Sequence, residues 1–443
     1  MKISILLPYK ENFSPSYAGA VSLFINDTLK FSKFKKNITV YGFTEYTKKF
    51  KNKYINIEVK KKIFQSQNRD YVNKFIKIEE KESSNIIELH NRPIYLKYLV
   101  SKLQNKNYIL YFHNDPLSMS GSKTIKERIF LLSNCYRIIF NSNWSKKRFL
   151  QKMKSDAINS EKLLVINQSA TKNKINFKNK KKIITYVGKL NRSKGYDLFG
   201  KAVIKILKNY KDWSAYVIGD EPRDKLEFNH SRLFKLGFKE HNEVINIYKK
   251  TSIAVVCSRW EEPFGRTSLE AAANGCAVII SNKGGLPETI TNGIILRKLN
   301  STSLYNSIVK LIQNKKQLYD LQSKSKNNFY LTDKYISNKI DNYRSLFATN
   351  KIKLLNSKLI KEKLKILHVT NFNERHNGRL FYNTGKRINN GFIRLGHSVL
   401  EFSDRDIVSY YRSLNDINGS KKLNNKLIEV ISNYVPDIII LGH

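Results

Sequence analysis

The chain has 443 residues, enough for two or three domains, and carries no apolar run of the roughly 18 residues that a membrane-spanning helix needs. Its 80 lysines and arginines outnumber 36 acidic residues, for a net charge of +44. That charge is spread along the whole length instead of forming a patch, which argues against a specific nucleic-acid face. At the N-terminus, residues 3–7 predict a first strand, and the apolar stretch is too short for a secretory signal, so the chain is expected in the cytoplasm. A strongly cationic protein there is drawn to anionic lipid, which adds peripheral contact with the inner face of the cytoplasmic membrane to the expectations.

After the first strand the chain reaches Ala18-Gly19-Ala20-Val21, where a helix starts and Gly19 permits close approach of backbone to a ligand. Residues 38–42 predict a second strand. Residues 86–90 form a strand that ends on His90-Asn91-Arg92-Pro93, and residues 108–112 one that ends on His113-Asn114-Asp115-Pro116. Open α/β sheets gather ligands beyond the carboxyl ends of their strands, so His90, Asn91, Arg92, His113, Asn114 and Asp115 are candidate site residues. A neutral imidazole suits a sugar hydroxyl or a proton transfer. Residues 136–140 form a further strand that runs into the helix-capping residues Asn141, Ser142 and Asn143. The lysine and asparagine run at 172–182 has no apolar periodicity and marks a boundary between a domain at 1–178 and one at 179–347.

The second domain opens with a strand at 183–187 and the loop Gly188-Lys189-Leu190-Asn191-Arg192-Ser193-Lys194-Gly195. Glycine for the turn and Lys189 and Lys194 for charge make a phosphate-binding arrangement, although in so lysine-rich a chain a pair of solvated lysines is the plain alternative. Residues 214–219 form the next strand, ending on Gly219, and 236–238 a short one. Then come the apolar run at 253–257 and Trp260-Glu261-Glu262-Pro263-Phe264-Gly265-Arg266-Thr267-Ser268-Leu269-Glu270. A second apolar run and Gly284-Gly285-Leu286-Pro287-Glu288 complete a β-α-β unit. Gly265 stands at the helix entrance, where free N–H groups suit an anion. Glu262 and Glu270 repel phosphate and are placed to accept hydrogen bonds from hydroxyls. A ligand both anionic and rich in hydroxyls is a nucleotide sugar; solvated surface acids are the plain alternative. Cys135, Cys257 and Cys276 have no metal-ligand spacing and support no disulfide framework, and the last two read as small core residues.

This ordered set resembles the signature of the retaining glycosyltransferases of family 4, in the GT-B class: two glutamates with seven residues between them, enclosing Pro-Phe-Gly, then G-G-x-P-E. The resemblance implies an α/β protein with two Rossmann-like domains facing a cleft, its last helices crossing back to the N-terminal domain. It places the donor on Gly19, Gly188, Lys189, Lys194, Gly219, Phe264, Gly265, Glu270, Gly284, Gly285 and Glu288. His113, Glu262 and Lys194 become the catalytic candidates, with both lysines on the pyrophosphate and His113 facing the donor sugar. His90, Asn91, Arg92, Asn114 and Asp115 fall on the acceptor side. The resemblance also implies retention of configuration, no divalent metal and no cofactor beyond the nucleoside diphosphate sugar that serves as donor substrate.

From residue 363 the pattern restarts after a linker at 348–362, with strands at 364–370, 399–404 and 437–443 and helices at 378–395 and 423–431. This β-α-β-α-β order resembles the opening of a second GT-B enzyme, a partial Rossmann-like domain that would leave an edge strand bare. A truncated chain, a fusion or a small accessory domain each fits it, and Gly378, Arg379, Arg387 and His397 carry no assignment. The sequence therefore predicts transfer of a sugar from a nucleoside diphosphate sugar to a cell-envelope glycan or glycolipid. The competing readings are a non-catalytic scaffold in an envelope glycan assembly complex and another GT-B enzyme such as an epimerase.

Overall fold

The computed structural model describes residues 1–59, 66–103, 106–153, 160–223, 226–359, 363–374 and 384–442. They form two compact units, Met1–Ala348 and Thr349–His443. The first unit holds two parallel sheets. One joins β1 (Ile3–Leu6), β2 (Ile38–Gly42), β3 (Tyr54–Asn56), β4 (Ile86–His90), β5 (Asn107–Phe112), β6 (Arg137–Phe140) and β7 (Leu163–Val165) in the order β3-β2-β1-β4-β5-β6-β7. The other joins β8 (Lys181–Val187), β9 (Ser214–Ile218), β10 (Leu233–Lys235), β11 (Thr251–Val256), β12 (Ala277–Ser281) and β13 (Ile294–Leu296) in the order β10-β9-β8-β11-β12-β13. Strand β12 is buried along its whole length, which is why residues 277–280 stand out in the sequence as a continuous apolar run; β4 is buried too and takes Glu88 and His90 into the interior with it.

Each sheet reverses its strand order once, between β1 and β4 and between β8 and β11. Loops on either side of such a switch point diverge and leave a crevice at the carboxyl ends of the strands. These loops carry part of the sequence candidates: Gly19 after β1, Asn91 and Arg92 after β4, Gly188 to Lys194 after β8 and Glu262 to Gly265 after β11. His113 to Asp115 follow β5, Gly219 follows β9 and Gly284 to Glu288 follow β12.

The long helix Asp333–Leu359 runs back to the first sheet. Its Arg344 guanidinium donates to both oxygens of Glu88 on β4 at 2.7 and 2.8 Å and to Asp341 at 3.2 Å, all of them buried. Asp341 in turn accepts from Ser32 Oγ at 2.8 Å and from the Lys33 amide at 2.7 Å. The stretch expected to be a linker from 348 is therefore helical as far as Leu359, and residues 360–362 lie outside the described ones. The strand expected at 236–238 is also displaced: β10 ends at Lys235, and Gly237 follows in a left-handed turn with φ +64°.

In the second unit β14 (Lys365–Thr370) lies between β15 (Ser398–Ser403) and β16 (Ile438–Leu441), all parallel. Helices run over Thr384–Arg394, Asp404–Tyr411 and Ser420–Tyr434, the second of which the sequence pattern did not predict. Gly378 and Arg379 lie outside the described residues. The core of this unit is small, centred on Leu367, Val369 and Phe402, and β16 is an edge strand whose Ile438, Ile439 and Leu441 are exposed.

Candidate functional site

The loops after β8 and β11 enclose a pocket of about 190 Å³ lined by Tyr186, Gly188, Lys194, Ser258, Glu262, Gly265 and Arg266, among others. Gly195 adopts φ +76° and presses so closely on the Cys257 carbonyl that a methyl group there would overlap it. That approach brings Lys194 to the exit of β11, where its ammonium meets Glu262 Oε1 at 2.5 Å, partly exposed. The Tyr186 hydroxyl lies 3.0 Å from the Lys189 carbonyl and 3.1 Å from that of Lys194, fastening both ends of the loop. Sequence reasoning missed Tyr186, which reads as one more apolar strand residue. Gly188, Lys194, Glu262 and Gly265 thus come together as expected, whereas the Lys189 side chain is exposed beside them.

Behind the pocket lies a buried charge network. Arg266, the first residue of the helix Arg266–Ala273, donates from Nε to Glu270 Oε1 at 2.6 Å and from Nη2 to Asp27 Oδ2 at 2.7 Å. His241 Nε2 meets the same Glu270 oxygen at 2.8 Å. Burial raises the carboxyl pKa of Glu270, but Arg266 and then His241 outweigh it, so Glu270 lies below its ordinary value; Asp27 is lowered likewise by Arg266 and Lys30. Arg266 Nη1 is buried with no hydrogen-bond partner among the described residues. Arg266 stands four residues before Glu270, the spacing that puts two side chains on one helical face. That spacing could have named it from the sequence; nothing local points to Asp27.

Other candidates turn out to hold the walls together. Gly284 sits at φ +59° with its α-carbon against the Glu262 backbone, and the Gly285 amide donates to the Glu262 carbonyl at 2.6 Å. Gly219 packs on Gly188, and Phe264 is a core residue at 2 % exposure. Glu288 accepts from the Asn143 and Trp144 amides at 2.8 and 3.0 Å at the N-terminus of the helix Asn143–Leu150. A carboxylate there complements the helix dipole and ties the second sheet's loop to the first sheet. Ser142 adds a hydrogen bond from its hydroxyl to the Pro263 carbonyl at 2.6 Å.

On the first sheet the candidates fold back on themselves. His113 is 6 % exposed, and both its ring nitrogens are engaged: Nε2 with His90 Nδ1 at 2.9 Å and Nδ1 with Gln168 Nε2 at 3.2 Å. With the Gln168 amide as donor, His113 carries its proton on Nε2 and His90 carries one on its own Nε2, which is buried with no partner among the described residues. Burial, then the nearby Arg266 charge, lowers the His113 pKa to about 3, and burial, His113 and Arg344 hold His90 well below its ordinary value. Both rings are neutral. The His113 ring, expected to face a sugar, has both nitrogens held by His90 and Gln168.

The Asn91 side chain accepts from the His113 and Asn114 amides at 2.9 and 3.3 Å, so Asn91 is a brace. Asn91 and Arg92 both have positive φ, +52° and +61°, in the loop after β4. The Gly19 cradle is filled by Glu11, whose carboxylate accepts from the Ser22 amide at 3.1 Å and whose pKa burial raises. Asn114 is exposed, and Asp115 pairs with Arg148 at 2.9 Å. Cys135, Cys257 and Cys276 are buried free thiols. Among the described residues no three His, Cys, Asp or Glu side chains are grouped to hold a metal ion, and no helix is long and apolar enough to cross a membrane.

Residues 167–328 match the family model of glycosyl transferases group 1. Spore coat protein SA of Bacillus subtilis is 31 % identical over 126 residues, covering 26 % of this chain and 33 % of that protein. The lipopolysaccharide core biosynthesis mannosyltransferase LpsB of Rhizobium meliloti is 32 % identical over 123 residues, covering 26 % and 35 %. The chain thus spans about a third of the length of these curated relatives. Among solved structures, Anabaena HepE in complex with UDP and glucose superposes with a TM-score of 0.61 at 18 % identity, covering 78 % of this chain and 99 % of that one. The likeness at that identity is one of fold: two Rossmann-like domains in the GT-B arrangement.

Proposed function

We propose that the chain is a glycosyltransferase that moves a sugar from a nucleoside diphosphate sugar to a cell-envelope glycan or glycolipid, with retention and without a divalent metal. The observation that carries this reading is the meeting of Lys194, Glu262 and the entrance of the helix at Gly265 in one pocket, inside the segment that matches glycosyl transferases group 1. Such a pocket suits a diphosphate: Lys194 offsets the charge that grows on the leaving group, and the free N–H groups of the helix start add to it. Glu262, drawn to Lys194 at 2.5 Å, becomes an acceptor for sugar hydroxyls when a phosphate takes over the ammonium.

Glu270 serves the ribose. Its Oε1 is taken by Arg266 and His241, and among the described residues no hydrogen bond falls on Oε2, the oxygen a hydroxyl would use. His113 takes part through its neutral state and its rigid placement; a direct bond from its ring to the sugar requires release from His90 or Gln168. The relation to a lipopolysaccharide mannosyltransferase favours an envelope acceptor, and the net charge of +44 favours a place beside anionic lipid.

The test is calorimetric titration of the whole chain, without metal, with a panel of nucleoside diphosphate sugars, UDP-sugars first because HepE was solved with UDP. Micromolar binding of one donor, weakened at least tenfold in Lys194→Ala and in Glu270→Gln, is the expected result. A folded chain that binds no donor overturns the reading.

A further inference from the structure

We propose that a second cavity, on the other side of the loop that carries Glu262, is an acceptor subsite for an uncharged pyranose ring; this rests on the glycosyltransferase reading. The cavity measures about 630 Å³ and is lined by Asp115, Trp144, Arg148, Arg259, Trp260 and Glu261. Its size falls in the range of about 300–1,000 Å³ usual for small-molecule sites. Along 258–262 the chain turns Ser258 and Glu262 to the donor pocket and Arg259, Trp260 and Glu261 to this cavity. The two spaces share one wall, so a molecule in the second lies next to the residue that would hold the donor sugar.

Two features choose the ligand class. The chain has three tryptophans, and two of them line this one cavity, while Trp213 is buried in the core. Trp260 is 55 % exposed, although an indole buries more apolar surface than almost any other side chain when covered. The apolar C–H face of a pyranose covers an indole while its hydroxyls stay at the ring edge, where carboxylates and guanidinium N–H groups can bond them.

The second feature is charge. Arg148 is committed to Asp115 at 2.9 Å, Arg259 to Asp197 at 2.6 and 2.8 Å, and Glu261 to Lys283 at 3.1 Å and the Gly284 amide at 2.6 Å. With both lining guanidinium groups already paired to carboxylates, the cavity offers a phosphate no uncompensated cation, whereas a neutral polyol needs only the remaining lone pairs and N–H groups. The acceptor end that enters here is therefore a sugar ring, not a phosphate or a carboxylate.

The experiment uses the intrinsic fluorescence of the whole chain, titrated separately with the methyl glycosides of glucose, galactose, mannose and N-acetylglucosamine, with mannitol as an open-chain polyol and uridine as a flat aromatic ligand. One glycoside is expected to change tryptophan emission saturably. Trp144→Leu and Trp260→Leu, made separately and checked for native circular dichroism, are each expected to weaken that response by roughly three- to tenfold, as loss of one ring contact implies. No response to any glycoside, an equal response to mannitol, or a stronger one to uridine overturns the inference. Donor titration of the same preparation decides the reading beneath it: a donor that binds beside an unresponsive cavity leaves transferase activity standing and removes only the acceptor assignment. A glycoside that binds where no donor does removes both.

Discussion

The two sheets of the first unit share one strand order, apart from a seventh strand at the edge of the first, and use their strand ends differently. On the second sheet the polar residues after β8 and β11 line an open pocket, with Lys194 and Glu262 partly exposed. On the first sheet three of the polar residues at the ends of β4 and β5, His90, Asn91 and His113, are buried and bonded to one another or to Gln168 and Asn141. A polar residue at the end of a parallel strand is therefore a site candidate by position only. Whether it faces ligand or braces the crevice depends on whether a neighbouring loop supplies its hydrogen-bond partner.

If this contrast holds, substitutions on the two sheets should separate stability from turnover. The largest effect is expected for Arg344→Ala, which strands Glu88 and Asp341 in the interior and should cost about 3–5 kcal/mol in chemical denaturation. Donor affinity of the molecules that remain folded should be unchanged, and Glu88→Gln placed in the Arg344→Ala background should recover part of the loss. Lys194→Ala should do the reverse. Its ion pair is partly exposed and worth at most about 1 kcal/mol of stability, while loss of charge opposite the leaving group should lower kcat by about 10²–10³-fold in a donor-turnover assay. Equal losses of stability and turnover in both variants would erase the distinction. Asp27→Asn lies between them, because Asp27 is on the first sheet's side and holds Arg266 of the second at 2.7 Å. It should destabilise the chain by about 1–3 kcal/mol and shift donor affinity as well, since Arg266 also holds Glu270.

The same contrast explains how far the sequence could be read. Buried parallel strands appear as apolar runs, and the loops after them are bounded by glycine, so the pocket of Gly188, Lys194, Glu262 and Gly265 was legible in short stretches. What was not legible depends on partners far apart in the chain. Asp27 and Arg266 are 239 residues apart, and Asn143 and Glu288 are 145 apart. Glu288, expected on the donor, caps a helix of the other sheet. His113 has the right residue type at the right strand end, and its direction is decided by His90 and by Gln168 after β7. Gly19 likewise reads as a place for close approach of backbone to a ligand until Glu11 is seen to lie against it.

The smallest predicted effect, measured per unit of pH, concerns that histidine pair. The folded-state pKa of His113 is lowered to about 3, and that of His90 lies well below the ordinary value near 6.5. Below pH 6.5 the unfolded chain takes up protons on these rings that the folded chain does not, so stability must fall as pH falls from about 6.5 towards about 3. Each ring contributes a slope of about 1 kcal/mol per pH unit across that window. His113→Gln removes one titrating ring and, through its amide, can still meet His90, so denaturation midpoints measured between pH 6.5 and pH 4 should lose about one proton's share of the slope. An unchanged slope would mean that His113 is protonated in the folded chain and therefore exposed to solvent. The first sheet's strand ends would then be as open as the second's.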